Sequence, residues 1–151
     1  MHEQGERVTP MSTLTKAILI AAKAHDGQVD KGGSPYILHP IRLASRAKTT
    51  EESIVAVLHD VVEDSDFTLF DLKKEGFSLP ILEALDCLTR RPDESYEGFI
   101  KRIKVNPLAS VVKLLDLEDN CDLSRIEDPT RQDYERIDKY KKAIAELKYG
   151  S

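Results

Sequence analysis

The sequence predicts an all-α fold, a compact bundle of helices. Apolar residues recur at helical spacing along most of the chain, capping residues and prolines separate these segments, and no convincing set of alternating strands appears. The length of 151 residues suits one domain with a single hydrophobic core. We therefore expect residues 1–10 to be a flexible N-terminus and residues 11–151 to form a single domain.

The first helix and the loop after it are the clearest local features. Leu14, Ala17, Ile18 and Ala21 lie on one stripe of an amphipathic helix. The segment 26–40 breaks this pattern with three of the seven glycines in the chain, so we predict a loop there. Pro40 suits the first turn of the short helix that follows.

A central helix is predicted to begin after Thr49, which forms a capping-box pattern with Glu52, and to run on through Val62 to Asp64. This segment is apolar around most of its circumference, so we expect it to be the most buried helix. The remaining helices are predicted around 68–74, 80–90, 96–105, from 111 onward after the break at Asn106-Pro107, and 134–147.

Composition excludes several classes of protein. The chain has 22 basic and 27 acidic residues, a net charge of −5 and no basic tract, which argues against a duplex-DNA-binding protein. No apolar run approaches the ~20 residues that a membrane span needs. The segment Met1–Pro10 lacks the apolar stretch of a signal peptide, and two cysteines are too few for a disulfide framework. We expect a cytoplasmic protein with reduced cysteines.

The end of the central helix carries an unusual set of ionisable residues. His59, Asp60, Glu63 and Asp64 follow directly on an apolar run, and such groups are rarely buried unless they are paired or bind a metal. On a helix, His59 lies one turn before Glu63, and Asp60 lies one turn before Asp64. A divalent cation would explain this convergence. The alternative is an exposed helix end whose charges face water.

Two further segments add candidate ligands. Lys113, Asp116 and Asn120 share one face of a later helix, although Asp116 could instead be a surface carboxylate paired with Lys113. His39 precedes Pro40 at the end of the glycine-rich loop. Taken together, these segments offer two imidazoles and two carboxylates. Mixed nitrogen and oxygen ligands suit Mn²⁺, Fe²⁺ or a similar octahedral ion better than a structural zinc ion.

Four blocks of the sequence, at 22–28, 33–41, 58–64 and 112–120, resemble the HD-domain phosphohydrolases, and specifically the hydrolase domain of the RelA/SpoT family. The likeness extends to the small stand-alone members of that family, which include metazoan SpoT homologues. The blocks occur in the order found in the family and extend over more than 90 residues. The resemblance implies an all-α HD-domain bundle.

The resemblance also implies roles for individual residues. Glu63 and Asp64 match the acidic pair that activates and orients the attacking water, and Mn²⁺ is the implied cofactor, with Fe²⁺, Co²⁺ or Mg²⁺ as alternatives. Lys31 and Asn120 match positions that contact the nucleotide, and Tyr36 lies in the same wall. Lys31, Arg42, Arg90 and Lys113 are available to offset the acidic charge of the chain near a phosphate-rich substrate. The implied metal ligands are His39, His59, Asp60 and Asp116.

Two departures from the family pattern concern the substrate. Asp30 occupies a position where family members that hydrolyse guanosine tetraphosphate (ppGpp) commonly carry arginine, and Asp122 replaces the arginine of an Asn-Leu-Arg sequence. An aspartate at position 30 cannot stack on a base and would repel phosphate. We expect Asp30 to face the base or the sugar of the substrate.

The function implied by the resemblance is hydrolysis of the 3′-pyrophosphate of ppGpp or its pentaphosphate, with release of pyrophosphate. Two alternatives stay open: the same metal centre acting on another phosphate ester, such as the 2′-phosphate of NADPH or a nucleoside phosphate, and a non-catalytic nucleotide sensor that holds a metal. The expected partner is a small nucleotide rather than a nucleic acid or a membrane, and the oligomeric state is left open.

Overall fold

Helices account for nearly all of the regular structure. The structure is a computed structural model that describes residues 12–150, so the predicted flexible N-terminus at 1–10 lies outside the described residues. Within this range the all-α prediction is confirmed, and only an isolated bridge between Val29 and Pro35 has β geometry. The helices are α1 (Leu14–Ala24), α2 (Leu38–Arg46), α3 (Thr50–Leu58), α4 (Val61–Asp64), α5 (Leu69–Lys74), α6 (Leu79–Cys87), α7 (Tyr96–Lys104), α8 (Pro107–Asn120) and α9 (Arg131–Tyr149), with a 3₁₀ turn at Leu123–Arg125.

Helix α3 is the centre of the bundle. All six residues from 53 to 58 are buried, and the helix packs against α1, α2, α6 and α8. The side chain of Thr49 accepts a hydrogen bond from the N–H of Glu52 at its start. The carboxylate of Glu52 accepts a hydrogen bond from the backbone N–H of Lys48 rather than from that of Thr49. Only half of the predicted capping box therefore forms. None of the helices between residues 12 and 150 is long and apolar enough to cross a membrane.

The prediction of one continuous central helix through to Asp64 is wrong. Helix α3 ends at Leu58, and a separate short helix, α4, begins at Val61. The imidazole Nδ1 of His59 donates to the carbonyl of Ala56 at 2.6 Å, and that carbonyl is the one that would accept the N–H of Asp60 in an unbroken helix. The side chain of His59 therefore competes with the backbone at the point where the helix is interrupted.

Helix α8 has a buried face that changes from apolar to acidic. Its buried residues include Ala109 and Val112 in the first turns and Asp116 and Asp119 in the later ones. Asn106 begins the helix by accepting a hydrogen bond from the N–H of Ala109 at 2.9 Å, and proline at position 107 needs no N–H partner there. Helix α8 contacts α2, α3, α6, α7 and α9, which places its acidic end inside the bundle.

The cap of α8 yields a stability prediction. Asn106→Ala removes the side-chain acceptor and should lower the free energy of unfolding by about 1 kcal/mol in urea denaturation. Asn106→Asp is the matched control, because it keeps an acceptor oxygen and should change stability by only a few tenths of that amount. Equal stability of the alanine variant and the unsubstituted protein would contradict the role of this cap.

Candidate metal centre and adjoining pocket

Three parts of the fold bring four predicted ligands together. His39 lies in the first turn of α2, His59 and Asp60 occupy the break between α3 and α4, and Asp116 lies on the buried face of α8. His39, His59 and Asp116 are each no more than 5% exposed. One nitrogen from each of the two histidines and one carboxylate oxygen of Asp60 lie within 4.8 Å of one another.

Direct distances show how closely Asp116 joins this group. The Nε2 atom of His39 lies 2.8 Å from Oδ1 of Asp116. The Nε2 atom of His59 lies 3.4 Å from the same oxygen and 3.0 Å from Oδ2 of Asp60. Both imidazoles therefore turn the same nitrogen toward the carboxylates. The surface-carboxylate alternative for Asp116 does not hold, although its predicted ion pair with Lys113 is present at 2.9 Å.

The second nitrogen of each imidazole fixes the orientation of its ring. Nδ1 of His59 bonds the Ala56 carbonyl, and Nδ1 of His39 lies 2.7 Å from Oδ2 of Asp119. A neutral imidazole that donates through Nδ1 carries its lone pair on Nε2. Each Nε2 can therefore act as a metal ligand without any change of side-chain conformation.

The charged groups of the cluster shift one another's pKa values. Burial alone would lower the pKa of His59, but the carboxylates of Asp60 and Asp116 raise it well above its ordinary value. Burial opposes the charge of Asp116, yet Lys113 and the two histidines hold its pKa well below the usual range. Two carboxylates thus draw positive charge into a largely buried site.

The residues present fit a divalent cation. The buried Nε2 of His59 has no hydrogen-bond partner, because its approach to Asp60 lacks hydrogen-bond geometry. A buried nitrogen without a partner, beside two carboxylate oxygens and a second imidazole, is a donor set that suits a metal ion. A cation would also neutralise the carboxylates that otherwise raise the histidine pKa values.

Tyr36 connects the cluster to the glycine-rich loop. Its hydroxyl donates a hydrogen bond to Oδ2 of Asp60, and its ring contacts both His25 and His39. Burial first, and then the negative charge of Asp60, raise the pKa of this hydroxyl, so it stays a hydrogen-bond donor. His25 is buried and bonds Gln28, whose amide also reaches the carbonyl of Asp64. These contacts fasten the loop to α4.

Glu63 and Asp64 are exposed residues of α4, the short helix that begins directly after Asp60. Oε2 of Glu63 accepts a hydrogen bond from the backbone N–H of Arg90 at 2.9 Å. The pKa of Asp64 is raised, first by partial burial and then by the neighbouring charge of Asp60. An acidic group with a raised pKa beside the candidate ligands is chemically suited to exchange protons.

A pocket of about 370 Å³ adjoins the cluster. Four predicted substrate-binding residues line it: Asp30, Lys31, Tyr36 and Asn120. The amide of Asn120 also donates to Oδ1 of Asp116 at 3.1 Å, so pocket and cluster share a wall. Arg90 is not among the lining residues. Its backbone meets Glu63, and its guanidinium lies 5.7 Å from the ring of Tyr96.

Asp30 has a structural role that the sequence did not indicate. Its Oδ1 accepts hydrogen bonds from the backbone N–H groups of Gly32 and Ser34, both at 2.9 Å, and so closes the turn of the glycine-rich loop. Gly32 packs so tightly that an added Cβ would lie 2.2 Å from the carbonyl oxygen of Arg125. Asp30 therefore shapes the pocket wall as well as adding its charge.

Sequence reasoning missed three charged residues at this site. Asp119 is 1% exposed and bonds His39, and its position one turn after Asp116 was the available signal. Arg125 and Arg136 line the pocket from segments outside the recognised blocks, so no motif pointed to them. Two suggested phosphate-binding cations do not line the pocket: Arg42, which pairs with Asp119, and Lys113, which pairs with Asp116.

Known proteins with similar sequences include ppGpp hydrolases. The chain is 32% identical over 130 residues to the guanosine-3′,5′-bis(diphosphate) 3′-pyrophosphohydrolase of Haemophilus influenzae, a match that covers 78% of this chain and 19% of that protein. The protein of the same description from Vibrio cholerae is 29% identical over 138 residues, covering 83% and 19%. The chain thus spans about a fifth of the length of these relatives. No protein-family model matches it.

A solved structure has the same fold. It is described as a metazoan ortholog of SpoT that hydrolyses ppGpp and plays a role in starvation responses, and it superposes with a TM-score of 0.74 at 21% sequence identity. The match covers 96% of this chain and 90% of that protein, so nearly all of the helical arrangement is shared. Sequence and fold together show that the chain belongs to the RelA/SpoT family.

Proposed function

We propose that this protein is a metal-dependent hydrolase that removes the 3′-pyrophosphate of ppGpp. The observation that carries the proposal is the convergence of His39, His59, Asp60 and Asp116 beside a pocket lined by Lys31 and Asn120. The activities of the relatives named above support this substrate. The four clustered side chains are proposed as metal ligands, and residues 11–151 are proposed to act as one hydrolase domain.

Each part of the site has a distinct task in this proposal. A divalent cation would lower the pKa of a water molecule and withdraw charge from a phosphoryl oxygen. Asp60 and Asp116 would hold the cation together with the two histidines, and Tyr36 and Asn120 orient these carboxylates by hydrogen bonds. Glu63 and Asp64 are proposed to orient the attacking water and accept its proton.

The pocket cations favour a substrate rich in phosphate. Lys31, Arg125 and Arg136 all line the pocket, and each presents positive charge next to it. Arg125 and Arg136 are also tethered by carboxylates, at 3.0 Å to Asp122 and 2.7 Å to Asp133. Because tethered guanidinium groups lose little conformational freedom on binding, they suit recognition of phosphate oxygens.

We propose Mn²⁺ as the metal, with Fe²⁺, Co²⁺ and Mg²⁺ as alternatives, because the donor set mixes imidazole nitrogen with carboxylate oxygen. A cytoplasmic location is also proposed, in keeping with the unbonded Cys87 and Cys121. The substrate alternatives are NADPH, through its 2′-phosphate, and nucleoside phosphates. A non-catalytic sensor is disfavoured because it has no use for Glu63 and Asp64 beside the cluster.

One experiment tests the proposal. Metal-stripped protein is reloaded with each of the four metals and assayed against ppGpp, its pentaphosphate, NADPH and GTP, with identification of the products. The proposal predicts GDP and pyrophosphate from ppGpp only when metal is present. Release of orthophosphate from NADPH without turnover of ppGpp would favour the alternative substrate, and binding of metal and nucleotide without any turnover would favour the sensor.

Glu63→Gln tests the proposed proton acceptor. The variant keeps an oxygen that can bond the Arg90 N–H but loses the basic carboxylate. We expect kcat to fall by about 10²-fold or more, the scale of losing a general base, while Mn²⁺ affinity is retained. Glu83→Gln, at a site on α6 that is also exposed, is the matched control and should leave kcat unchanged. An unaltered kcat in the Glu63 variant with metal bound would remove this residue from the mechanism.

Asp30→Asn tests whether the negative charge of Asp30, in the glycine-rich loop, affects substrate binding. Arginine would be a poor replacement, because it cannot accept the two hydrogen bonds from Gly32 and Ser34. Asparagine keeps an acceptor oxygen and removes one negative charge from the pocket, so KM for ppGpp should fall by about fivefold at low salt and by less at high salt. The same KM as the unsubstituted protein at every salt concentration would show that the charge of Asp30 does not reach the substrate.

A further inference from the structure

Asp119 is a buried charged residue that the proposed mechanism does not use. It is 1% exposed and lies one turn after Asp116 on α8. Its carboxylate lies 2.7 Å from Nδ1 of His39 and accepts two hydrogen bonds from Arg42, at 2.9 and 3.0 Å. Arg46 and Arg125 approach it at 3.2 and 3.4 Å.

The geometry points to Asp119 as a positioning residue that prepares His39 for metal binding. By accepting the proton of Nδ1, its carboxylate leaves the lone pair of His39 on Nε2, which faces Asp116 and His59. A carboxylate in this position also makes the imidazole a stronger ligand. This inference rests on the metal centre of the proposed function, and it adds a determinant of metal affinity that contacts neither metal nor substrate.

The interacting residues come in pairs with the same spacing on two helices, α2 and α8. His39 and Arg42 are three residues apart on α2, and Asp116 and Asp119 are three residues apart on α8, so each pair lies on one helix face. His39 bridges both aspartates, while Arg42 donates one hydrogen bond to each carboxylate oxygen of Asp119. Because two oxygens of Asp119 are fixed by the planar guanidinium, the carboxylate cannot rotate away from His39.

The alternative is that Asp119 only joins α2 to α8 through its ion pair with Arg42. Such a residue would make the same contacts but would have no effect on metal affinity. Asp119→Asn separates the two roles, because asparagine keeps the size of the side chain and loses its charge. Titration of metal-stripped protein with Mn²⁺ should show affinity about 10–100-fold weaker than that of the unsubstituted protein, with the helical circular-dichroism signal preserved.

Asp133→Asn is the matched control. Asp133 is also a buried carboxylate held by an arginine, with Arg136 at 2.7 Å, and it caps α9 without contacting the metal cluster. This variant should lose stability but keep its Mn²⁺ affinity. Unchanged Mn²⁺ affinity in Asp119→Asn, or an equal loss in both variants, would overturn the inference.

A measurement on the unsubstituted protein covers the case in which Asp119→Asn does not fold. Nitrogen-15 NMR of the protein loaded with diamagnetic Zn²⁺ should show the His39 proton on Nδ1 and the metal on Nε2. Metal ligation through Nδ1, or no uptake of metal, would overturn the inference. If metal binds as expected but no nucleotide is hydrolysed, the proposed function fails while the role of Asp119 stands.

Discussion

The structure depends on the burial of two carboxylates at the end of α8. Asp116 and Asp119 continue the face that Ala109 and Val112 begin, so the helix cannot bury its apolar half without also burying these charges. Buried carboxylates are tolerated only when donors or cations surround them. Most of the donors come from other segments: α2 supplies imidazole and guanidinium groups, and the break after α3 supplies a second imidazole. Lys113, on α8 itself, pairs with Asp116. The same contacts that compensate these charges therefore also bring the candidate metal ligands together.

The amino-acid sequence predicts most of the helices and the four residues of the candidate cluster. Apolar periodicity and capping residues identify α1, α8 and α9. The resemblance to a known family indicates His39, His59, Asp60 and Asp116, which the fold brings together. The break at His59 escaped prediction, because a hydrophobic pattern carries no signal for a side chain that bonds the carbonyl of Ala56. Asp119 escaped for a related reason: its partners lie more than 70 residues away along the chain or beyond the recognised blocks.

The effect of two departures from the family pattern on the charge of the pocket depends on the surrounding fold. Asp30 and Asp122 replace expected arginines, which suggested a loss of positive charge near the substrate. In the fold, Arg125 and Arg136 reach the same pocket from segments that follow α8, and Asp30 bonds the loop backbone. Positive charge is therefore supplied from a different part of the chain, while the aspartate stabilises the glycine-rich turn that frames the pocket.

The central claim is that the buried histidine and aspartate cluster is a metal site. Anomalous X-ray scattering from a crystal grown with Mn²⁺ tests it most directly, because it locates the ion independently of activity. The account predicts one peak at about 2 Å from Nε2 of His39 and Nε2 of His59, with carboxylate oxygens of Asp60 and Asp116 at similar distance. A crystal that holds Mn²⁺ elsewhere, or one without an anomalous peak at this cluster at saturating Mn²⁺, would contradict it.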